Sequence, residues 1–287
     1  MERTVVQGRN DQHEICVVGL GFVGLTLAAT FADAGVRVLG YEQNRNACQL
    51  LNQGQVHFYE KGLPEILNQR LNNGLTITDE LPDTLPAVVI ICVGTPIDER
   101  TEKPDLRQLE SAVNAIATRI TAETLVVVRS TLAVGTSRNL ILPRLRERIA
   151  EPLLAFCPER TIQGKALEEL RTLPQVISGV NEASVARARQ LFDKIVRQTL
   201  TVTSLETAEM IKLICNCHTD LIYGFGNQVA LMANALGVDA QEVITTANLN
   251  YPRPDLSKPG FVGGSCLSKD PYLLIYSTQQ HNYTHRW

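Results

Sequence analysis

One short segment constrains this chain more than any other. Gly19-Leu20-Gly21-Phe22-Val23-Gly24 follows the apolar run Ile15–Val18 and opens a stretch of helical periodicity that ends at Gly35. Gly19 permits a tight turn, Gly21 lets the backbone approach a pyrophosphate, and Gly24 lets helix pack closely on strand. The helix N-terminus offers amides and partial positive charge to an anion seated there, with Leu20, Phe22 and Val23 completing the turn. Such a glycine pattern is weak alone, but strand before and helix after it point to a βαβ unit of parallel sheet. Glu42 ends the next apolar run, Val36–Tyr41. A carboxylate there accepts hydrogen bonds from a ribose diol and repels a 2′-phosphate. The expected cofactor is therefore NAD rather than NADP, with Arg45, three residues on, pulling the other way.

Strand-like runs continue at Leu75–Thr78, Val88–Val93, Leu125–Val128 and Leu153–Phe156, with Val176–Ser178 and Leu200–Val202 closing the series. Val88–Val93 is apolar at every position, as a central parallel strand buried on both faces should be. The pattern changes at Thr203-Ser204-Leu205-Glu206, whose spacing is that of a capping box in which Glu206 reaches back to the cap. From there to Leu236 apolar residues recur at helical spacing without proline, which predicts a helix ~45 Å long. Asp239-Ala240-Gln241-Glu242 predicts a second helix start. Tyr251–Gly264 is too rich in Pro and Gly for regular structure, and Asp270–His281 predicts a last helix. The expected organisation is a disordered polar extension over 1–13 and a Rossmann-type doubly wound parallel sheet over 14–204. An all-α domain with a long helix follows over 205–287.

Composition removes several function classes. A net charge of -3 gives no field to draw nucleic acid or an anionic membrane. The longest apolar run, Ala87 to Val93, is far short of the ~20 residues that span a bilayer, and Met1–Glu14 lacks the apolar core of a secretory signal. Seven cysteines, an odd number in a long chain, argue against a disulfide framework. The expected compartment is the cytoplasm. Histidines scattered at 13, 57, 218, 281 and 285 and a Cys215-Cys217 spacing unsuited to zinc leave no metal constellation.

Phe261-Val262-Gly263-Gly264-Ser265-Cys266-Leu267-Ser268-Lys269-Asp270 is the second unusual segment. Two glycines clear bulk in front of Cys266, and Lys269 with a helix N-terminus would raise its thiolate fraction. Taken alone, a buried inert cysteine is at least as good an account. Lys212 and Asn216, four apart, share one face of the long helix, where a solvated lysine is the commoner case. Glu159, in Cys157-Pro158-Glu159-Arg160, follows a strand at the carboxyl edge of the sheet, where ligands of open α/β sheets bind. A loop carboxylate paired with Arg160 is its plain alternative.

In one collinear order from about Glu14 to Tyr283, these residues resemble the UDP-glucose/GDP-mannose dehydrogenase family. The resemblance rests on Gly19–Gly24, Val93-Gly94-Thr95-Pro96, Arg129-Ser130-Thr131 with Gly135-Thr136, and Pro158-Glu159. It extends to Lys212 with Asn216, and to Gly263-Gly264-Ser265-Cys266 with Lys269-Asp270. It implies oxidation of the C6 alcohol of a UDP-sugar to a uronic acid with two NAD⁺ and one active-site cysteine, in polysaccharide precursor synthesis. It also implies a homodimer and a three-domain plan of which this chain holds the first two, without the C-terminal nucleotide-binding domain and with weak turnover in consequence.

The same resemblance assigns roles. Cys266 would attack the C6 aldehyde and pass through a thiohemiacetal to a thioester. Lys212 and Asn216 would stabilise oxyanion character at C6, and Asp270 would orient water or help Lys212 exchange a proton. Glu159 would be general acid/base in thioester hydrolysis, and Thr131 would touch sugar or water. Val93, Gly94, Thr95, Ser130 and Lys269 would line the cofactor site. Arg160, Ser257, Lys258, Pro259, Gly260, Phe261 and Gly263 would lie along the sugar nucleotide, and Arg253 would reach a neighbouring subunit's substrate. Gln163 stands where glucose-type members carry a second Glu, Gly94 replaces a common proline, and Glu42 a common aspartate. The run from Pro158 to Gly164 and Tyr251-Pro252-Arg253 resemble members acting on UDP-N-acetylhexosamines. Two other readings stay open: a single-step β-hydroxyacid dehydrogenase, which has no need of Gly263–Cys266, and a non-catalytic NAD-binding remnant.

Overall fold

The structure, a computed structural model, describes residues 12–252, 255–264, 266–279 and 283. Most of the expected extension over 1–13, together with Arg253 and Ser265, lies outside the described residues. The chain begins with β1 (Ile15–Val18), α1 (Phe22–Asp33), β2 (Val38–Tyr41), α2 (Arg45–Asn52), α3 (Leu63–Arg70) and β3 (Leu75–Thr78). It continues with β4 (Val88–Ile91), α4 (Arg107–Ala117) and β5 (Leu125–Val128), then a π-helical turn Ser137–Ile141 that runs into α5 (Leu142–Arg146). β6 (Leu153–Phe156), α6 (Ala166–Thr172), β7 (Gln175–Gly179), α7 (Glu182–Phe192) and β8 (Thr199–Thr201) complete the sheet. Three helices follow: α8 (Leu205–Leu236), α9 (Ala240–Asn248) and α10 (Asp270–Gln279).

The strands form one sheet in the order β3-β2-β1-β4-β5-β6-β7-β8. β1 lies between β2 and β4, with Ile15 opposite both Val38 and Val88, and all four of its residues are buried. Strands buried on both faces are what an all-parallel core demands, and β1, β4 and β5 read that way in sequence. The order reverses between β1 and β4, so the crevice at their carboxyl ends is the place where such folds bind ligands. Phe31, Phe156 and Phe192 are fully buried, and burying each side chain stabilises by about 1.5–3 kcal/mol.

The sheet departs from the expected parallel plan at one pair. β7 runs antiparallel to β6, with Ala155 opposite Gly179. The chain leaves β6, closes a loop at the same edge and re-enters there. Gln175, the first residue of β7, donates through Nε2 to the Pro158 carbonyl at 3.1 Å, and Arg160 donates to the Pro174 carbonyl.

The described part packs as two compact units that divide inside α8, after Glu209, with Ile97–Pro104 grouped with the second. The predicted capping box at the start of α8 forms differently. Ser204 Oγ accepts from the Thr207 amide at 3.1 Å, while Glu206 pairs with Arg138 Nε at 2.5 Å and also bonds the Ser204 side chain. α8 spans 32 residues, about 48 Å, and Asp239 caps α9 through the Glu242 amide at 2.7 Å.

In the second unit the Pro/Gly-rich segment is irregular, as its composition predicts, and two asparagines hold it. Asn248 takes the Leu256 amide and donates to the Leu256 carbonyl, both at 2.9 Å. Asn227 on α8 does the same to Gly260, at 2.7 and 2.8 Å. Gly226 leaves room for this strap: a Cβ there would stand 2.3 Å from the Ser257 carbonyl oxygen. The last helix is described to Gln279, and His281 lies outside the described residues.

Candidate active site

Within the first unit, the candidate cofactor site is the turn between β1 and α1. Gly19 has φ +89°, and a Cβ there would meet the Cys92 carbonyl oxygen at 3.0 Å, while one on Gly24 would stand 1.8 Å from the Gly19 carbonyl oxygen. Both positions accept only glycine. A Cβ on Gly21 would meet nothing within 4 Å, so the backbone there faces open space. Amides of the first helical turn have no intrahelical partner, and together with the bare backbone they fit a dinucleotide pyrophosphate. Glu42 stands beside them. Its Oε2 accepts from the Leu20 amide and its Oε1 from the Asn44 amide, each at 2.9 Å. Arg45 turns to Asp79, Nε to Oδ2 at 3.2 Å, which takes that charge up in an ion pair. Phe22 meets Phe58 edge to face, ring centroids 5.4 Å apart.

The loops after β4 and β5 are clasped at the same sheet edge. Ser130 Oγ donates to the Val93 carbonyl at 2.7 Å, and Thr95 Oγ1 to the Thr131 carbonyl at 2.5 Å. Gly94 lies between them, where a Cβ would come within 3.0 Å of Gln108 Oε1.

Glu159 is paired with Arg129. Its Oε2 takes Arg129 Nε at 3.1 Å and a second bond from Arg129 Nη2. Its Oε1 takes the amides of Arg160 and Thr161 at 2.8 and 2.9 Å. Arg129 also donates to the Cys157 carbonyl and to Gln175 Oε1, and lies 5.3 Å from the Phe192 ring centre. Glu60, which the sequence did not single out, accepts from the Gly164 amide at 2.6 Å and so holds the loop that follows Glu159. Gln163 donates to the Tyr59 carbonyl at 3.2 Å.

A separate group of candidate residues lies within the second unit. Asp270, fully buried, receives Asn216 Nδ2 at 2.5 Å on one oxygen and Lys269 Nζ at 2.6 Å on the other. Lys212, one turn before Asn216, is 8% exposed, far from the solvated lysine a helix usually carries. Cys266 is exposed and its carbonyl accepts from the Lys269 and Asp270 amides at 3.1 and 2.9 Å. The thiol residue thus opens the turn that leads into α10. Lys269, expected beside the thiol and the cofactor, gives its ammonium to Asp270.

Phe261 is 96% exposed, and its ring occupies the space a Cβ on Gly263 would need, 2.4 Å away. Ser257, Lys258, Pro259 and Gly260 belong to the strap held by Asn227 and Asn248. A groove of about 470 Å³ along α10 is lined by Gly263 and Ser268 but by none of Cys266, Lys212 or Asn216. Among the described residues, no three His, Cys, Asp or Glu side chains stand close enough to hold a metal ion.

The cysteines divide by environment. Burial pushes the Cys16, Cys92 and Cys157 thiols up to about 12, and Cys217 up to about 11. Cys215 and Cys266 are exposed. Iodoacetamide at neutral pH is therefore expected to alkylate Cys266 well before Cys16, Cys92 or Cys157, because only thiolate reacts. Peptide mapping over a time course checks this, and labelling that reaches the buried thiols as fast would contradict it.

Residues 13–196 match the NAD binding domain of the UDP-glucose/GDP-mannose dehydrogenase family, and residues 206–287 match the central domain of the same family. The chain belongs to the UDP-glucose/GDP-mannose dehydrogenase family. Its cofactor is NAD. Among similar family members, a UDP-N-acetyl-D-mannosamine dehydrogenase of Campylobacter jejuni is 32% identical over 279 residues, 93% of this chain and 68% of that protein. One from Pyrococcus horikoshii is 35% identical over 274 residues, 93% and 65%. A solved UDP-D-ManNAc dehydrogenase from Pyrococcus horikoshii superposes with a TM-score of 0.87 at 34% identity, covering 95% of this chain and 65% of that one. A GDP-mannose dehydrogenase from Pseudomonas aeruginosa gives 0.76 at 29% identity, over 95% and 66%. The chain spans about two thirds of the length of these family members.

Proposed function

We propose that this chain serves an NAD-dependent 6-dehydrogenase that oxidises the C6 alcohol of a UDP-sugar to a uronic acid. The observation that carries the reading is the exposed Cys266 at the head of α10, with buried Asp270 four residues on, held by Asn216 and Lys269. NAD⁺, when bound, would supply the hydride acceptor that each of the two oxidations at C6 requires. Its pyrophosphate would lie on Gly19–Gly24, with Glu42 at the ribose and Val93–Thr95 and Ser130 at the rim. In this scheme Cys266 Sγ bonds the aldehyde carbon as a thiohemiacetal and holds it as a thioester after the second oxidation. Water then breaks the C–S bond, releasing carboxylate and thiol. Lys212 and Asn216 supply the donors for oxyanion character at C6.

Glu159 is a poor choice for the hydrolytic base, since Arg129 and two amides already hold its oxygens. We assign the ordering of that water to Asp270 together with Lys212, and leave Thr131 at the sugar. The names of the similar proteins support a UDP-N-acetylhexosamine as substrate. Incubation with UDP-N-acetylhexosamines and NAD⁺ tests the reading: two NADH per sugar are expected, and one NADH per substrate would favour a single-step dehydrogenase.

Glu42 makes a separate prediction. NAD⁺ is expected to bind about tenfold or more better than NADP⁺, because the carboxylate meets a 2′-phosphate with like charge. Calorimetric titrations giving equal affinities would remove the claim. The exposed Leu221, Phe225, Leu231 and Met232 of α8 support a homodimer, since clustered exposed apolar side chains mark interfaces; light scattering reports it. Among the described residues no helix is long and apolar enough to cross a membrane, and an odd cysteine count, which argues against a disulfide framework, accords with a cytoplasmic setting.

A further inference from the structure

Glu209 has no part in the roles assigned above, yet its setting is the most demanding of any carboxylate in the first unit. It lies in the second turn of α8 and is wholly buried. Its Oε2 accepts from the Gly135 amide at 2.6 Å and its Oε1 from the Ser137 amide at 2.9 Å. Burial raises its pKa while these bonds work the other way. A carboxylate is costly to bury unless bonded, so this is no solvated helix face. Gly135 has φ +92°, a conformation that suits glycine, and Ser137 opens the π-helical turn, a geometry that gathers at functional positions.

The segment Glu209 grips is the far end of the loop after β5. The near end carries Ser130 and Thr131, which clasp Val93 and Thr95. Val93 and Thr95 lie on the loop after β4, one wall of the crevice where the strand order reverses. One path of bonds therefore runs from α8 through Gly135 and Ser137 along the loop to Thr131, and from there to Thr95.

We propose that Glu209 is a positioning residue for NAD binding: by holding the Gly135 and Ser137 amides it fixes the loop that sets Thr95 and Val93 at the rim of the dinucleotide crevice. The proposal rests on NAD binding alone and is independent of the sugar chemistry. In Glu209→Gln one acceptor oxygen becomes an amide donor facing an N–H, so one bond is lost and the loop loosens.

Calorimetry with NAD⁺ and amide hydrogen exchange on the same chain test it. Glu209→Gln is expected to weaken NAD⁺ binding about five- to tenfold and to speed exchange at residues 131–137 while β1, β4 and β5 stay protected. Combining it with Thr95→Ala, which breaks the clasp, should weaken binding less than the product of the two single effects, since both cut one path. Glu206→Gln, a neighbouring change on α8 that weakens the exposed pair with Arg138 but leaves both Glu209 bonds in place, should bind NAD⁺ as the parent does. If Glu209→Gln does not fold, Glu209→Asp, which keeps the charge and shortens the reach, is read in its place against the same outcomes. Unchanged NAD⁺ affinity, fully multiplicative effects with Thr95→Ala, an equal loss in Glu206→Gln, or exchange that rises across the whole sheet would each overturn the proposal. A chain that yields no NADH from any UDP-sugar, yet shows these binding effects, would remove the dehydrogenase reading and leave this one standing.

Discussion

Glu159→Ala is expected to destabilise the first unit by about 3–5 kcal/mol, the cost of breaking a buried pair by removing one partner. The side chains of Arg129 and Glu159 are 1% and 6% exposed. Without the carboxylate, a guanidinium that cannot lose its proton stays buried, left to the Cys157 carbonyl and Gln175 Oε1. The amides of Arg160 and Thr161 lose their acceptor as well. For a unit of this size the midpoint of thermal unfolding should fall by about 10 °C. The double substitution Arg129→Met with Glu159→Leu should recover most of that loss, because it removes both charges and fills the volume. Near-ultraviolet circular dichroism through the transition reads both. A midpoint in Glu159→Ala close to that of the parent would mean that the pair is structurally idle, and Glu159 would return as a candidate for proton transfer.

Cys266→Ser is expected to do the reverse: little to stability, nearly everything to turnover. The side chain is exposed, and surface substitutions of this kind stay within about 0.5 kcal/mol. Loss of a covalent nucleophile typically removes 10⁴-fold or more of the rate, and turnover of a UDP-sugar to uronic acid should fall by at least about that factor. NAD⁺ affinity should not change, since the dinucleotide turn Gly19–Gly24 belongs to the other unit. Stopped reactions analysed for sugar products add a sharper reading. Serine cannot sustain the thioester, so no uronic acid should accumulate. Parent-like yields of uronic acid from Cys266→Ser would end the covalent scheme.

What sequence made legible was whatever periodicity or glycine chemistry determines. The all-apolar runs of β1, β4 and β5 foretell strands buried on both faces, and the proline-free repeat foretells α8 to its last residue, Leu236. Strand ends shift by one or two residues because apolar pattern does not mark where the ladder stops. Cys92 still donates its amide to the Val18 carbonyl at 2.8 Å although β4 ends at Ile91. The reversal at β7 is invisible in an apolar run, which carries no direction; the Gln175 side chain and the closed loop before it decide that. Charged residues were hardest to place. Glu159 stands next to Arg160 in sequence, yet its partner is Arg129, 30 positions away and delivered by β5. Glu209 and Glu60 look like solvated helix and loop carboxylates until the amides they serve, 72 to 104 residues distant, are brought to them by the sheet.

The strap over Ser257–Gly260 has a thermodynamic consequence. Among the described residues it is tied by four side-chain bonds, two each from Asn227 and Asn248, and by no strand ladder. At about 0.5–1.5 kcal/mol net for each bond, releasing it costs some 2–6 kcal/mol. That lies below the free energy of unfolding a whole domain, so the strap has its own local opening equilibrium while the helices beside it stay formed. The released state would then hold between about one molecule in thirty and one in twenty thousand. Substitutions at either asparagine would move that fraction by powers of ten without touching the helical core, so the accessibility of this segment can be tuned by two side chains.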